Sequence, residues 1–189
     1  TWSVMAGSQN FWNVSKVVCD ASGNLYVGCN SISNTAGLQR FTKATNTWTN
    51  ITPSGLDARV PDLELSSTGR FHVICGYYNT AAGSAGYRYT DNPATVSSGT
   101  WTSPATTFPT QYNVAIESNG NTLYALPSNS AWGVPTIYKS TNGGANWAAT
   151  GATPAFTSGQ AWYCMAVAID PNNANNVIVG SLDCYKTTN

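Results

Sequence analysis

Ile137-Tyr138-Lys139-Ser140-Thr141-Asn142-Gly143-Gly144-Ala145-Asn146-Trp147 reads as a short strand entering a glycine-rich turn that ends on a tryptophan. That ending recurs. Trp2, Trp48, Trp101 and Trp147 each follow a small hydrogen-bonding residue (Thr1, Thr47, Thr100 and Asn146), at intervals of 46, 53 and 46 residues.

A period in the forties is the length of one four-stranded propeller blade. The repeat therefore predicts an all-β chain, a β-propeller of four-stranded antiparallel blades with about four repeats. The units run roughly over 9–56, 57–107, 108–154 and 155–189, with residues 1–8 expected as an outer strand of the last one. Each unit contains a hairpin: Val17 to Gly28, Leu63 to Gly76, Val114 to Leu126 and Ala166 to Gly180. Their turns hold Ser22-Gly23-Asn24, Thr68-Gly69-Arg70, Asn119-Gly120-Asn121 and the stretch Pro171 to Asn176. These residue types accept positive φ or cap a turn with a side chain, and apolar and β-branched residues flank them. No 11-residue window has helical apolar spacing, and Gly, Pro, Asn, Ser and Thr interrupt the chain throughout.

Ser140-x-Asn142-x-Gly144-x-Asn146-Trp147 closely resembles the Asp-box (BNR repeat), Ser-x-Asp-x-Gly-x-Thr-Trp, of sialidase, xyloglucanase and sortilin-type propellers, with Asn where Asp is usual. In the last unit, Ala168 to Asn172 followed by Val177 to Ser181 looks like the strand pair that precedes an Asp-box. Cys184 to Asn189 then aligns with Ile137 to Asn142. The other units are degenerate: Phe41 to Trp48 keeps only Thr47-Trp48, and Thr90 to Trp101 carries an insertion. The resemblance implies a structural role for Ser140, Asn142, Gly144 and Trp147, in a turn away from the catalytic face. Propellers hold about four to eight blades, so the chain is expected to be part of a larger propeller. The alternative is a four-bladed ring closed by Thr1 to Ser8.

Charged residues are 8% of the chain and the formal net charge is zero, against an ordinary charged share near 25%. Phosphate-tracking partners, and with them nucleic acid, are not expected. No apolar run approaches the roughly 18 residues of a membrane span. A surface rich in Ser, Thr, Asn, Gly and aromatic residues points to a secreted, extracellular protein that meets glycans. Five cysteines show no CxxC pair or metal-ligand spacing, and the single histidine, His72, lies in the strand run Phe71-His72-Val73. No metal or cofactor is expected. For the cysteines, packed free thiols and one or two disulfides both remain open.

Connections between blades, and those between second and third strands, open on one face of a propeller, opposite the Asp-box turns. They bring together Trp12, Arg59, Asp62, Tyr112, Asn113, Trp132, Trp162 and Tyr163, beside Phe11, Asp57, Gln111, Tyr77 and Tyr78. Aromatic rings stack on the C–H faces of sugars while amides, carboxylates and guanidinium groups bond hydroxyls, so these eight residues are the expected ligand set for a neutral glycan.

Glycoside hydrolysis needs two facing carboxylates. Asp20, Glu117 and Asp170 occupy the hairpin position and read as turn caps, which leaves Asp62, Asp57 and Glu64 as candidates. The resemblance to sialidases fails at the Phe-Arg-Ile-Pro-like segment, and Arg70 falls in a hairpin turn on the opposite face. No catalytic Asp motif of the xyloglucanases is recognisable. One histidine without a Gly-x-Ser-x-Gly elbow excludes a Ser-His-Asp assignment. The leading expectation is a secreted glycan-recognition module. A glycoside hydrolase completed by sequence elsewhere, and a non-catalytic scaffold for a protein partner, are the alternatives.

Overall fold

The computed structural model describes residues 1–31, 36–151 and 153–187, which form fourteen strands and one 3-10 turn at Ala82–Ser84. The strands make four antiparallel sheets, each a simple meander. The first holds β1 (Val14–Cys19), β2 (Leu25–Cys29), β3 (Leu38–Thr42) and β4 (Thr47–Asn50). β5 (Leu63–Leu65), β6 (Phe71–Cys75) and β7 (Gly86–Thr90) form the second. The third holds β8 (Val114–Asn119), β9 (Thr122–Pro127), β10 (Tyr138–Ser140) and β11 (Ala148–Ala149), and the last β12 (Ala166–Asp170), β13 (Asn173–Gly180) and β14 (Cys184–Thr187). Their first strands pack side by side in chain order, β1 on β5, β5 on β8 and β8 on β12. This is the radial arrangement of propeller blades.

Because neighbouring sheets face each other, the core lies in the seams between them. Tyr26, Leu38 and Ile51 of the first sheet region close on Leu63, Phe71, Val73 and Cys75 of the second. Ile74 and Tyr87 close on Phe108, Ile116, Leu123 and Trp147, and Tyr124 and Leu126 on Phe156, Val177 and Val179. β6 is buried at every residue, since both of its faces are covered, and its one polar side chain, His72, shares a hydrogen bond with the Tyr87 hydroxyl.

The hairpin turns form where the sequence places them. Asp20 accepts hydrogen bonds from Ser22 N (2.9 Å), Asn24 N (3.0 Å), Asn24 Nδ2 (2.8 Å) and the Tyr26 hydroxyl (2.9 Å). Asp170 accepts from Asn172 N and Asn176 Nδ2. Glu117 is not a cap: it sits within β8 opposite Tyr124, two strand positions before the tip pair Asn119 and Thr122.

Between β10 and β11 the turn closes on itself. Ser140 Oγ accepts from Gly144 N (2.9 Å), Asn142 Oδ1 accepts from Asn146 N (2.9 Å), and the Trp147 indole donates to Gly144 O (3.1 Å). Trp147 wedges into the seam, edge-on to Tyr87 at 5.4 Å and to Phe108 at 4.7 Å. Gly144 has φ +80°, and a Cβ there would overlap the Tyr87 hydroxyl and stand 2.9 Å from its Cζ, so the turn presses backbone directly onto that ring.

Two expected outer strands are missing among the described residues. In the second sheet the Trp101 segment contributes only the bridge Tyr89 to Thr102. The insertion before it is drawn onto the first sheet instead: Arg40 Nη1 donates to Pro93 O (3.1 Å) and Val96 O (2.9 Å), and Val96 is buried. Residues 1–8 are not an outer strand of the last sheet either. They run along the first sheet, where Trp48 Nε1 donates to Ala6 O at 3.0 Å and Phe11 meets the Trp48 ring edge-on at 4.7 Å. The end of the expected match to the Asp-box, at 188–189, lies outside the described residues. The five cysteines are unpaired, with Cys29 and Cys75 buried, and burial pushes the Cys75 thiol up to about 12.

Candidate functional site

Three loops converge at one end of the sheets. The β6–β7 loop carries Tyr77 and Tyr78, the β9–β10 loop Trp132, and the β11–β12 connection Trp162 and Tyr163. Tyr77, Tyr78, Trp132 and Trp162, with Asn13 and Asn30, line a cleft of about 490 Å³. Tyr78 stacks on Trp132 with centroids 5.6 Å apart and planes 27° from parallel, and Tyr112 meets the same indole edge-on at 5.5 Å. Trp162 packs on Tyr163 at 4.2 Å, and the Tyr77 hydroxyl donates to Trp162 O at 2.9 Å, tying two of the loops together.

Bulky residues avoid positive φ because Cβ crowds the neighbouring carbonyl. Tyr78 (φ 53°) and Trp132 (φ 56°), the stacked pair, both adopt it, as do Asn13 (51°) and Asn79 (61°) beside them. Such strain persists only where the surroundings over-determine the backbone. Here they do. Asn129 Oδ1 accepts from Ala131 N and Gly133 N on either side of Trp132, whose own carbonyl accepts from Ala161 N at 3.0 Å. Thr80 N donates to Gln111 O, and Thr80 Oγ1 accepts from Tyr77 N and from Arg59 Nη2.

Below the aromatic cleft lies a polar channel of about 400 Å³, which shares Asn30 and Trp162 with it. Lys16 from β1 reaches Asp62 Oδ1 at 3.3 Å and Glu64 Oε2 at 3.2 Å, and Glu117 lines the same space. Burial opposes the charge on Lys16, but Asp62 and Glu64 outweigh it and hold the ammonium above its ordinary value. Asp62 is pushed up by burial despite Lys16 and the N–H groups of Ile116 and Leu63. Burial, reinforced by Glu64, raises Glu117 as well. Asn30 Oδ1 is buried and has no hydrogen-bond partner among the described residues.

Of the eight expected ligand residues, Asp62 is taken up by Lys16 in the channel, and the other seven fall into three groups. Trp132 and Trp162 line the aromatic cleft, with Tyr112 and Tyr163 packed against them. Arg59 is not free for a ligand, because it forks onto Asp57 through Nε and Nη2 and spends a further bond on Thr80. Asn113 donates to Ala161 O at 2.7 Å and thereby holds the loop that carries Trp162. Trp12 is exposed but lines neither space, although its neighbour Asn13 lines the cleft.

The carboxylate candidates are likewise engaged. Burial opposes the charge on Asp57, but the Arg59 guanidinium and N–H hold its carboxyl below the usual range. Asp62 and Glu64 share Lys16, and Glu64 also accepts from Ser118 Oγ at 2.7 Å. Arg70 pairs with Asp91 and bonds Gly143 O, at the opposite end of the sheets. Lys16 and Glu117 escaped the sequence reading. Their signal was a charge inside an apolar inner-strand pattern, which alternation along β1 and β8 would have placed toward the channel.

No family model and no curated protein matches this sequence. Among solved structures, an ancestral GH74 enzyme superposes with a TM-score of 0.66 at 22% identity, over 94% of this chain and 23% of its own. The fold is that of a β-propeller. The GH74 xyloglucanase from Xanthomonas campestris gives a TM-score of 0.62 at 21% identity, over 94% of this chain and 28% of its own. YCF48 from Cyanidioschyzon merolae gives 0.63 at 11% identity, over 97% and 53%. This propeller chain therefore spans about a quarter of the length of the two GH74 proteins. No helix of the described residues is long and apolar enough to cross a membrane.

Proposed function

We infer that the chain is the glycan-recognition part of a secreted propeller, binding a neutral sugar in the cleft between Tyr78, Trp132 and Trp162. One observation carries this reading. The two aromatic residues held at positive φ are the two that stack face to face in a half-open cleft, so backbone strain is retained where rings are presented. Every residue lining the cleft is uncharged, which suits a neutral ligand. Asn13 and Asn30 supply amides for hydroxyl groups beside the rings. The turn from Ser140 to Trp147 acts as a degenerate Asp-box, a staple at the far end of the blade. Recognition is favoured over hydrolysis because Asp57, Asp62 and Glu64 already hold cations or backbone N–H groups.

Binding of neutral oligosaccharides is tested by array screening and then calorimetry on the hits. Trp162→Ala and Tyr78→Ala should each weaken binding by at least about tenfold, or about 1.4 kcal/mol, with circular dichroism unchanged. Trp12→Ala should bind as the parent does. Equal losses in all three variants, or no hit on the array, would sink this assignment.

A further inference from the structure

Two triplets of the chain have the form Asn-x-Ser/Thr that accepts an N-linked glycan, Asn13-Val14-Ser15 and Asn50-Ile51-Thr52. The structure treats them differently. Asn50 Nδ2 donates to Ala36 O at 2.9 Å, Asn50 Oδ1 accepts from Thr52 N at 3.0 Å, and Ile51 is fully buried. Asn13 is exposed, and its side-chain amide has no hydrogen-bond partner among the described residues. Its backbone is fixed instead: Asn30 N donates to Asn13 O at 2.9 Å and holds the turn at φ 51°.

Asn13 also stands on the wall of the aromatic cleft, with Tyr78, Trp132 and Trp162. A sugar attached to Asn13 Nδ2 therefore starts at the cleft, with ring faces in reach for stacking. The rest of the triplet dates the attachment. Ser15 completes the acceptor motif, yet once β1 is paired its hydroxyl donates to Val60 O at 2.6 Å, with Gly28 O 3.1 Å away. That hydroxyl is free to be read only on a chain that has not yet folded.

We propose that Asn13 is an N-glycosylation site and that the first sugars of its glycan occupy the aromatic cleft of the same molecule. The step is glycosyl transfer from an oligosaccharide linked to a lipid pyrophosphate. Asn13 Nδ2 forms a bond to C1 of the sugar, and the C1–O bond to phosphate breaks. The lipid pyrophosphate leaves with the electron pair, and one amide proton passes to a base of the transferase. A tethered ligand acts at a millimolar effective concentration. At about 2–5 mM, a tethered sugar held with a Kd of about 1 mM lowers the apparent affinity for an added one by about three- to sixfold. The cleft is then closed to weak ligands and open to those that outcompete its own glycan. This inference rests on reading the chain as secreted and the cleft as a sugar site.

The test is secretion of the chain, behind a cleavable leader, from a eukaryotic host that N-glycosylates. Amidase release in heavy-oxygen water leaves a labelled aspartate wherever a glycan stood, and peptide mass spectrometry should find the label at position 13. The probe for the cleft is di-N-acetylchitobiose, the neutral disaccharide that begins an N-linked glycan, titrated against tryptophan emission. Secreted Asn13→Gln should bind it about three- to sixfold more tightly than the glycosylated parent. Should that variant fail to fold, the parent after glycan release takes its place. An unlabelled position 13 in the folded, secreted chain overturns the proposal, and so does equal affinity of the two forms. Array hits for other neutral sugars without binding of this disaccharide sink this inference alone. Failure of Asn13→Gln to bind any sugar sinks the glycan-recognition reading with it.

Discussion

Replacing Gly144 with alanine isolates what the turn before Trp147 does for the fold. Two costs combine at this position. The first is conformational: at φ +80° an L-residue is disfavoured by about 1–2 kcal/mol. The second is local overlap, because the new Cβ would fall on the Tyr87 hydroxyl, which shares a 2.7 Å hydrogen bond with His72 Nδ1 inside the core. Overpacking costs about 1–3 kcal/mol, and separating a buried hydrogen-bonded pair about 1–3 kcal/mol. Gly69 supplies the control. Its φ is +85° and nothing lies within 4 Å of a Cβ there, so Gly69→Ala carries the first cost alone. The difference between the two variants should be about 2–6 kcal/mol, and a chain of this size loses about 2–4 °C per kcal/mol. Gly144→Ala should therefore melt roughly 4–24 °C below Gly69→Ala in a calorimetric scan. Adding Tyr87→Phe, which removes the obstructing oxygen, should cost less in the Gly144→Ala background than in the parent. Equal melting points for the two alanine variants would refute the claim that this turn bears on Tyr87.

Burial holds the single histidine, His72, down at about 3 against an ordinary 6.5. The unfolded chain therefore binds the extra proton between these values, so stability is complete above pH 6.5 and falls as pH drops toward 3. The slope is about 1.4 kcal/mol per pH unit at its steepest, and His72→Gln should flatten a melting-temperature profile taken from pH 7 to 4.5. Lys16→Met removes the cation shared by Asp62 and Glu64 and should cost about 3 kcal/mol in urea denaturation. A triple Lys16→Met/Asp62→Asn/Glu64→Gln variant should recover most of that loss, and failure to recover would mean the pairing is not what the channel stores. Asn129→Ala frees two N–H groups flanking Trp132. It should weaken sugar binding without lowering the melting temperature by more than about 4 °C; unchanged binding would show that the Trp132 backbone does not need that clamp.

The repeat was legible because each seam demands one large ring at a fixed place in each unit, and Trp101 and Trp147 satisfy that demand in chain order. Hairpins were legible from their turn chemistry. What escaped depended on which strand of each sheet is innermost. Glu117 looks like Asp20 and Asp170 in sequence, but it precedes its turn by enough residues to face the channel, where an acid meets Lys16 from another sheet. Arg59 was read as a ligand residue and Asp57 as a candidate carboxylate from their loop, yet two residues of separation let the guanidinium fold back onto the carboxylate. The mouth aromatics were visible as a group, whereas the left-handed backbone at Tyr78 and Trp132 was not, because nothing in those side chains announces it. Thr1-Trp2 showed the right pattern without the right neighbour, since a dipeptide carries no information about which sheet its chain can reach.

Each apolar cluster joins only adjacent sheets, so the chain is held like links and not like a sphere around one centre. Loosening should then follow burial link by link. In the last sheet only Val177 and Val179 of β13 are buried among the described strand residues, whereas β6 is covered throughout. Under thermal agitation the last sheet's amides would exchange with solvent first and those of β6 last, a gradient of local opening along a sequence whose units look alike.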